Sequence, residues 1–181
     1  MLRWFIRRRL AAFTRTYGYD TTYMGDVLDA DVAAFLKFAR VSSISSYRKG
    51  VPAAPWYAAK IVGAMAEDCG PCTQLVVTMA EHDRVEHDVL RAVLAGDTAA
   101  MPEDVAIAFR FARAVLAHAP EADELREQAV ARWGQRGLVS LGFALTSARM
   151  FPTLKYALGH GRSCTRVTVA GTAAPVQRHA A

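Results

Sequence analysis

Apolar residues recur at the spacing of an α-helix along most of the chain, and this pattern restricts the fold more than any other feature of the sequence. It is clearest in residues 3–16, 55–68 and 138–151, where apolar side chains return every three or four positions. Short stretches with Gly, Pro or paired acids separate these segments, as at the ends of helices. No alternation of strands with helices is visible. The sequence therefore predicts an all-α protein.

Individual residues mark the ends of the first predicted helices. Residues 3–16 form a basic, amphipathic helix that stops at Gly18. A short helix is expected over residues 21–28, and Asp29 or Asp31 then caps the helix that follows. The start of the chain is thus expected to be helical.

The pattern divides the chain into three regions of a single domain. These are N-terminal helices over residues 1–52, a helical core over 53–160 and a loosely ordered tail over 161–181. Residues 42–52 ("SSISSYRKGVP") are expected to form a loop because of their composition. Pro152 is expected to bend or end the last helix. In the tail, "TRVTV" could form a short strand.

Positive charge is concentrated at the start of the chain. The 181 residues carry a formal net charge of +5, and Arg3, Arg7, Arg8 and Arg9 supply much of it. The simplest interpretation is a solvated helix face, and contact with an anionic membrane surface is the alternative. No basic motif interleaved with aromatic residues predicts nucleic-acid binding.

The sequence predicts a cytoplasmic protein. The opening "MLRWFIRRRLAAF" is interrupted by arginines and lacks the small-residue cleavage site of a signal peptide. No apolar stretch is long and uncharged enough to predict a membrane span. The three cysteines are an odd number for a disulfide-stabilised secreted domain.

The tetrapeptide Cys69-Gly70-Pro71-Cys72 indicates redox chemistry. A helix is expected to begin at or just before Pro71, where unpaired N–H groups and the helix macrodipole stabilise a thiolate. The two-residue gap brings both sulfurs within disulfide reach, so one cysteine can attack and the other can resolve the intermediate. The same tetrapeptide occurs in thioredoxin, but there it follows a buried strand, whereas here it follows a predicted helix.

Two acidic residues directly precede the cysteine pair. Glu67 and Asp68 are candidate proton carriers, although their charge would also disfavour a nearby thiolate. The alternative is that both are solvated acids at a helix end. His160 and Cys164 provide a metal-binding alternative, because with the pair they could complete a Cys3His zinc site.

Two segments carry a resemblance to a known family, "AEDCGPCTQLVVTMAEHDRV" and "RFARAVLAHAPEADELREQAVARWGQRGLVSLGFALTSARMFPTLKYALG". From about Trp56 to Gly159 the chain resembles the AhpD-like alkylhydroperoxidase branch of the carboxymuconolactone decarboxylase superfamily. The resemblance implies a helical bundle built around the C-x-x-C helix–turn–helix, here with an extra basic N-terminal helix. It also implies assembly into trimers or multiples of trimers, and no organic cofactor.

The resemblance implies an activity for the pair. Cys69 and Cys72 would reduce an organic hydroperoxide, or exchange disulfides with a partner protein, and an external thiol reductant would reset them. In that family the second cysteine, here Cys72, is regarded as the attacking one, whereas thioredoxin chemistry favours Cys69. The sequence is compatible with both assignments.

Two positions depart from the family pattern. Its relay histidine, four residues after the second cysteine, is Val76 here, and its relay glutamate, twelve residues before the first, is Tyr57. Either Glu67 or Asp68 has taken over proton transfer, or the protein is a slow peroxidase or a disulfide exchanger, or it has lost catalysis.

The prediction from sequence is therefore a cytosolic AhpD-like thiol oxidoreductase. Two alternatives stay open. One is a non-enzymatic helical scaffold or binding protein, with or without zinc at its cysteines. The other is a lyase acting on a carboxylate-bearing lactone, and the C-x-x-C pair argues against it.

Overall fold

The all-α class is confirmed by the computed structural model, which describes residues 1–161 and 166–177. Two three-residue strands form the one sheet within those ranges. The elements are α1 (Leu2–Tyr17), α2 (Thr22–Ala30), α3 (Val32–Ala39), α4 (Val41–Ser45), α5 (Ala53–Met65), α6 (Gly70–His82), α7 (His87–Ala95), α8 (Glu103–Ala117), α9 (Ala122–Ala157), β1 (Val167–Val169) and β2 (Thr172–Ala174).

Local capping residues set several helix ends as the sequence predicts. Gly18 follows α1 with a left-handed φ of 62°, and its N–H donates to the Thr14 carbonyl. Asp31, rather than Asp29, caps α3 by accepting a hydrogen bond from the Ala33 N–H at 2.8 Å. These signals act between residues close in sequence, so they can be read without knowing the fold.

The segment 42–52 is only partly the loop that its composition predicts. Residues Val41–Ser45 form α4, and Val41 and Ser45 are buried. The rest is tied to α9, because the Lys49 N–H donates to the Ser140 hydroxyl at 2.9 Å and that hydroxyl donates to the Lys49 carbonyl at 2.8 Å. Contacts with α9 thus order a stretch whose composition alone suggests a loop.

Pro152 does not end the last helix. α9 continues for five residues beyond it to Ala157, and Lys155 in that final turn is buried. The interruption in α9 lies earlier, at Gly134, whose φ of 67° and ψ of 176° are not helical. The helix therefore runs through the proline, and Lys155 is packed into the protein beyond it.

α5 is the central helix of the main core. Ten of its thirteen residues are buried, and it contacts α6, α7, α8 and α9. Small residues allow the closest of these approaches. A Cβ added to Gly63 would lie 2.6 Å from the backbone oxygen of Leu145 in α9. No side chain fits there without displacing backbone, so a glycine is required at this helix crossing.

The described part of the tail is ordered, which corrects the expectation of a loose segment there. Strands β1 and β2 form an antiparallel hairpin that packs on α6 and α7, with Val167 and Val169 buried. The Gln74 side chain binds the hairpin backbone twice: it accepts from the Thr168 N–H at 2.7 Å and donates to the Thr168 carbonyl at 3.1 Å. Residues 162–165 and 178–181 lie outside the described residues.

Replacing Gly63 with alanine should destabilise the protein by about 1–3 kcal/mol, because the added methyl group meets the backbone of α9. Gly142, also helical, is the matched control, since a Cβ there meets nothing within 4 Å. Gly142→Ala should be neutral or stabilising by up to about 1 kcal/mol. Chemical denaturation of both variants measures the difference. Equal stabilities would contradict the close α5–α9 crossing.

Candidate active site

The cysteine pair lies where the chain turns from α5 into α6. α5 ends at Met65, and Asp68 adopts a left-handed φ of 46° that reverses the chain. Cys69 is the N-cap residue of α6, whose first two residues are Gly70 and Pro71. The predicted helix start is thus confirmed, and both cysteines lie at the positive end of α6.

Cys69 and Cys72 are joined as a disulfide, with their Cα atoms 5.2 Å apart. Both residues are buried, at 0% and 4% exposure. The Thr73 N–H and hydroxyl donate to the Cys69 carbonyl at 2.9 and 3.2 Å, which fixes the first turn around the disulfide. The pair is therefore positioned by the helix start and shielded from solvent.

A tyrosine hydroxyl contacts the disulfide directly. The Tyr19 hydroxyl lies 3.6 Å from the Cys72 sulfur, and it is the donor because a disulfide sulfur carries no proton. Burial raises the pKa of Tyr19, the Tyr23 hydroxyl partly offsets that effect, and Asp20 adds to it. The phenol consequently stays protonated at neutral pH and acts as a donor, not as a base.

Tyr23 and Lys155 complete a compact cluster around that hydroxyl. The Tyr19 and Tyr23 rings meet edge to face with centroids 6.5 Å apart. The Lys155 Nζ lies 4.8 Å from the Tyr19 centroid and 5.7 Å from the Tyr23 centroid. Lys155 thus contacts the two tyrosines that pack against the cysteines.

The sequence does not predict the two tyrosines that cover the disulfide, Tyr19 and Tyr23, because they come from the N-terminal region. Tyr19 lies between α1 and α2, Tyr23 lies in α2, and together with the two cysteines they form a buried cluster separate from the main core. The stretch "TYGYDTTY" contains three tyrosines and was the available signal. Nothing in that stretch, however, indicates a contact with a motif some fifty residues later.

Glu67 and Asp68 make backbone and side-chain contacts with α9. The Glu67 carboxylate pairs with the Arg149 guanidinium at 2.6 Å and accepts from the Thr153 hydroxyl at 3.0 Å. Asp68 is exposed, and its carbonyl accepts from the Tyr156 hydroxyl at 3.0 Å. Among the described residues, neither carboxylate shows a hydrogen bond to a sulfur, so their role in proton transfer stays a prediction.

The two positions that depart from the family pattern lie in the main core. Val76 is buried there and cannot carry a proton. The Tyr57 hydroxyl donates to Asp83 at 3.1 Å, and burial followed by Asp83 raises its pKa. Asp83 follows the last residue of the thirteen-residue α6, about 20 Å along the helix from its start. The Tyr57 hydroxyl is therefore far from the sulfurs.

An open cleft of about 460 Å³ borders the start of α6. Residues 17–20 form one wall, and the first turn of α6 and the end of α9 form the others. Its lining is Tyr17, Gly18, Tyr19, Asp20, Gly70, Pro71, Gln74, Leu75, Lys155, Gly159, His160 and Arg166. The lining includes Gly70 and Pro71, which lie between the two cysteines in sequence, but neither cysteine itself.

Only some of the four residues of the alternative Cys3His zinc site lie among the described residues. His160 contacts Asp26, with its Nε2 2.6 Å from the carboxylate. Cys164 lies outside the described residues, and within the described ranges no three His, Cys, Asp or Glu residues are grouped to hold a metal. The paired sulfurs of the disulfide form cannot act as thiolate ligands.

Comparison with known proteins identifies no relative. The chain matches no family model, no curated protein and no solved structure.

Among the described residues, no helix combines the length and the apolar character needed to cross a bilayer.

Replacing Tyr19 with phenylalanine should slow alkylation of Cys72 about tenfold or more at neutral pH, measured in a reduced Cys69→Ser/Cys164→Ser background. The thiolate would lose a charge-assisted hydrogen bond worth about 1.5–3 kcal/mol. Tyr47, whose ring packs against Phe143, provides the control. Tyr47→Phe should leave the alkylation rate unchanged. An unchanged rate in the Tyr19 variant would show that the Tyr19 hydroxyl does not stabilise the Cys72 thiolate.

Proposed function

We propose that this protein is a thiol-dependent oxidoreductase whose Cys69–Cys72 pair cycles between dithiol and disulfide. The observation that carries the proposal is a disulfide at the start of α6 with the Tyr19 hydroxyl 3.6 Å from one sulfur. The AhpD-like relation stays a prediction, since no comparison with known proteins supports it. The chemistry is argued from the site alone.

The reduced pair is activated by its surroundings. The Tyr19 phenol donates to Cys72 and remains protonated, so it stabilises a thiolate at that sulfur without taking its proton. The N-terminus of α6 acts in the same direction. We therefore assign the attacking thiolate to Cys72 and the resolving thiol to Cys69.

The oxidising step uses two electrons from the pair. The Cys72 thiolate attacks the outer oxygen of a hydroperoxide, the O–O bond breaks, and the leaving alkoxide takes a proton to become an alcohol. Cys72 is then a sulfenic acid. The Cys69 sulfur attacks it, the S–S bond forms, and the hydroxyl leaves as water after protonation. Glu67 and Asp68 stay candidates for supplying these protons.

The reducing step restores the dithiol. An external dithiol attacks the disulfide, passes through a mixed disulfide, and leaves oxidised while the protein gains two electrons and two protons. Both sulfurs are buried beneath Tyr19 and Tyr23, so a bulky partner must displace this cover to reach them. Burial therefore supports a small organic hydroperoxide as oxidant over a disulfide of another protein.

The same burial also favours a second candidate, a helical scaffold in which the disulfide is structural. A structural disulfide is inert because attacking thiolates cannot reach it, and it has a low reduction potential. The two candidates differ in whether the bond opens and closes under a mild thiol buffer.

A row of exposed apolar residues supports self-association, as the predicted oligomer requires. Val139, Phe143 and Met150 project from α9 at helical spacing, and each is exposed. Ile44 in α4, a helix that contacts α9, is exposed as well. Apolar side chains grouped on one face typically mark a contact surface.

Serine substitution at the pair tests the proposed chemistry. Cys72→Ser should abolish thiol-dependent consumption of an organic hydroperoxide. Cys69→Ser should allow a single oxidation and then stop, because the sulfenic acid at Cys72 has no resolving thiol. Cys164→Ser is the control and should retain activity. Wild-type activity in both pair variants would sink the redox proposal, whereas an inert disulfide in the unaltered protein would favour the scaffold.

A charge in the apolar row tests self-association. Phe143→Glu should lower the molecular mass measured by light scattering, because a carboxylate cannot be buried unpaired at an interface. Leu158, also exposed, supplies the control, and Leu158→Glu should leave the mass unchanged. If the unaltered protein is monomeric at all concentrations tested, the oligomer is ruled out.

A further inference from the structure

Helix α1 lies on the outside of the molecule. None of its residues is buried, and it contacts α2 and α6. The half-buried side chains face one way, at Ile6, Leu10, Phe13, Thr14 and Tyr17. They return every three or four positions, so one side of α1 holds it to the protein and the opposite side faces solvent.

The outward side of α1 carries two exposed aromatic rings. Trp4 and Phe5 are each 57% exposed and meet edge to face with centroids 4.9 Å apart. The Arg8 guanidinium lies over the Trp4 ring, 5.6 Å from its centroid. Large aromatic side chains are seldom left in water on a helix that could have buried them, so this face is suited to contact with another surface.

The charges of α1 are all of one sign. It contains Arg3, Arg7, Arg8, Arg9 and Arg15 and no acid. The Asp29 carboxylate pairs with two of these arginines. One of its oxygens lies 3.7 Å from the Arg3 guanidinium, and both oxygens accept hydrogen bonds from Arg7. Arg8, Arg9 and Arg15 are exposed alongside the two rings. The outward face therefore offers aromatic groups and positive charge together.

We propose that this face of α1 binds the surface of an anionic membrane, with Trp4 and Phe5 at the level of the headgroups and the arginines on lipid phosphates. A helix lying in the interface plane combines these groups in this way. A nucleic acid would engage the arginines but does not account for a Phe next to a Trp on a convex face. A second copy of the chain would have to offer an acidic and apolar complement. The proposal is independent of the redox chemistry.

Cosedimentation with lipid vesicles tests the proposal on the full chain. The protein should bind vesicles of phosphatidylcholine mixed with phosphatidylglycerol and not those of phosphatidylcholine alone. Binding should weaken as salt is raised, because exposed charges are screened. Equal binding to both vesicle types, or no binding to either, would overturn the proposal.

Two variants separate the aromatic and the charged contributions. Trp4→Ser/Phe5→Ser should weaken vesicle binding roughly tenfold or more, since two rings no longer leave water. Arg8→Glu should also weaken it, whereas Arg110→Glu, the same change in charge at an exposed site on α8, should not. Unchanged circular dichroism shows that the variants are folded, as expected for exposed positions.

The same variants expose the competing partners. Suppose that the unaltered protein binds no vesicles but retains a single-stranded oligonucleotide. If that retention depends on Arg8 and not on the two rings, the face binds nucleic acid. If the unaltered protein binds no vesicles and the Trp4→Ser/Phe5→Ser variant has a lower molecular mass, the face binds a second copy of the chain. Either result contradicts the membrane proposal.

Discussion

The burial of α5 on nearly every side is the constraint on which the rest of the structure depends. Because α6, α7, α8 and α9 all pack against it, most of its buried residues are apolar or small, and Gly63 allows α9 to approach to backbone contact. That crossing places α9 alongside the turn that ends α5. Ion pairing of Arg149 with Glu67 holds the two together there. The last turn of α9 then brings Lys155 to the cluster around the cysteines. The site is thus a consequence of how the core is packed.

The local parts of this arrangement can be read from the sequence, and the long-range parts cannot. Caps such as Gly18 and Asp31 act within a few residues. The Gly-Pro dipeptide at the start of α6 likewise predicts the helix start from local sequence. The order in the tail depends instead on Gln74, which is more than ninety residues from the strand it binds. A polar side chain in a helix gives no sign that its partner is a distant backbone. For the same reason composition predicts a loop where α9 orders the chain through Ser140.

The site shows the same division more sharply. The sequence predicts that the two cysteines lie at a helix start within bonding distance, and the structure has both features. It does not predict Tyr19, because that residue reaches the disulfide from a separate segment of chain. Nor does it predict that Glu67 is engaged by Arg149. Residue types near a motif in sequence suggest proton carriers, but folding decides which groups lie beside the sulfur.

The nature of Tyr19 determines what kind of proton chemistry the site can perform. A relay base must accept a proton from a thiol, but burial raises the pKa of this phenol and keeps it protonated. It can only donate, so it lowers the free energy of the thiolate once formed and does not remove the proton. Val76 cannot carry a proton either, so a proton that leaves the thiol must pass to water in the adjoining cleft or to a group that lines it. Asp20 lines that cleft, and its own pKa is lowered first by the hydrogen bonds from Thr22, so it is ionised at neutral pH. The lowered pKa makes Asp20 a weak base, so the Tyr19–Asp20 dipeptide supplies a permanent donor beside the sulfur but no strong acceptor for the thiol proton.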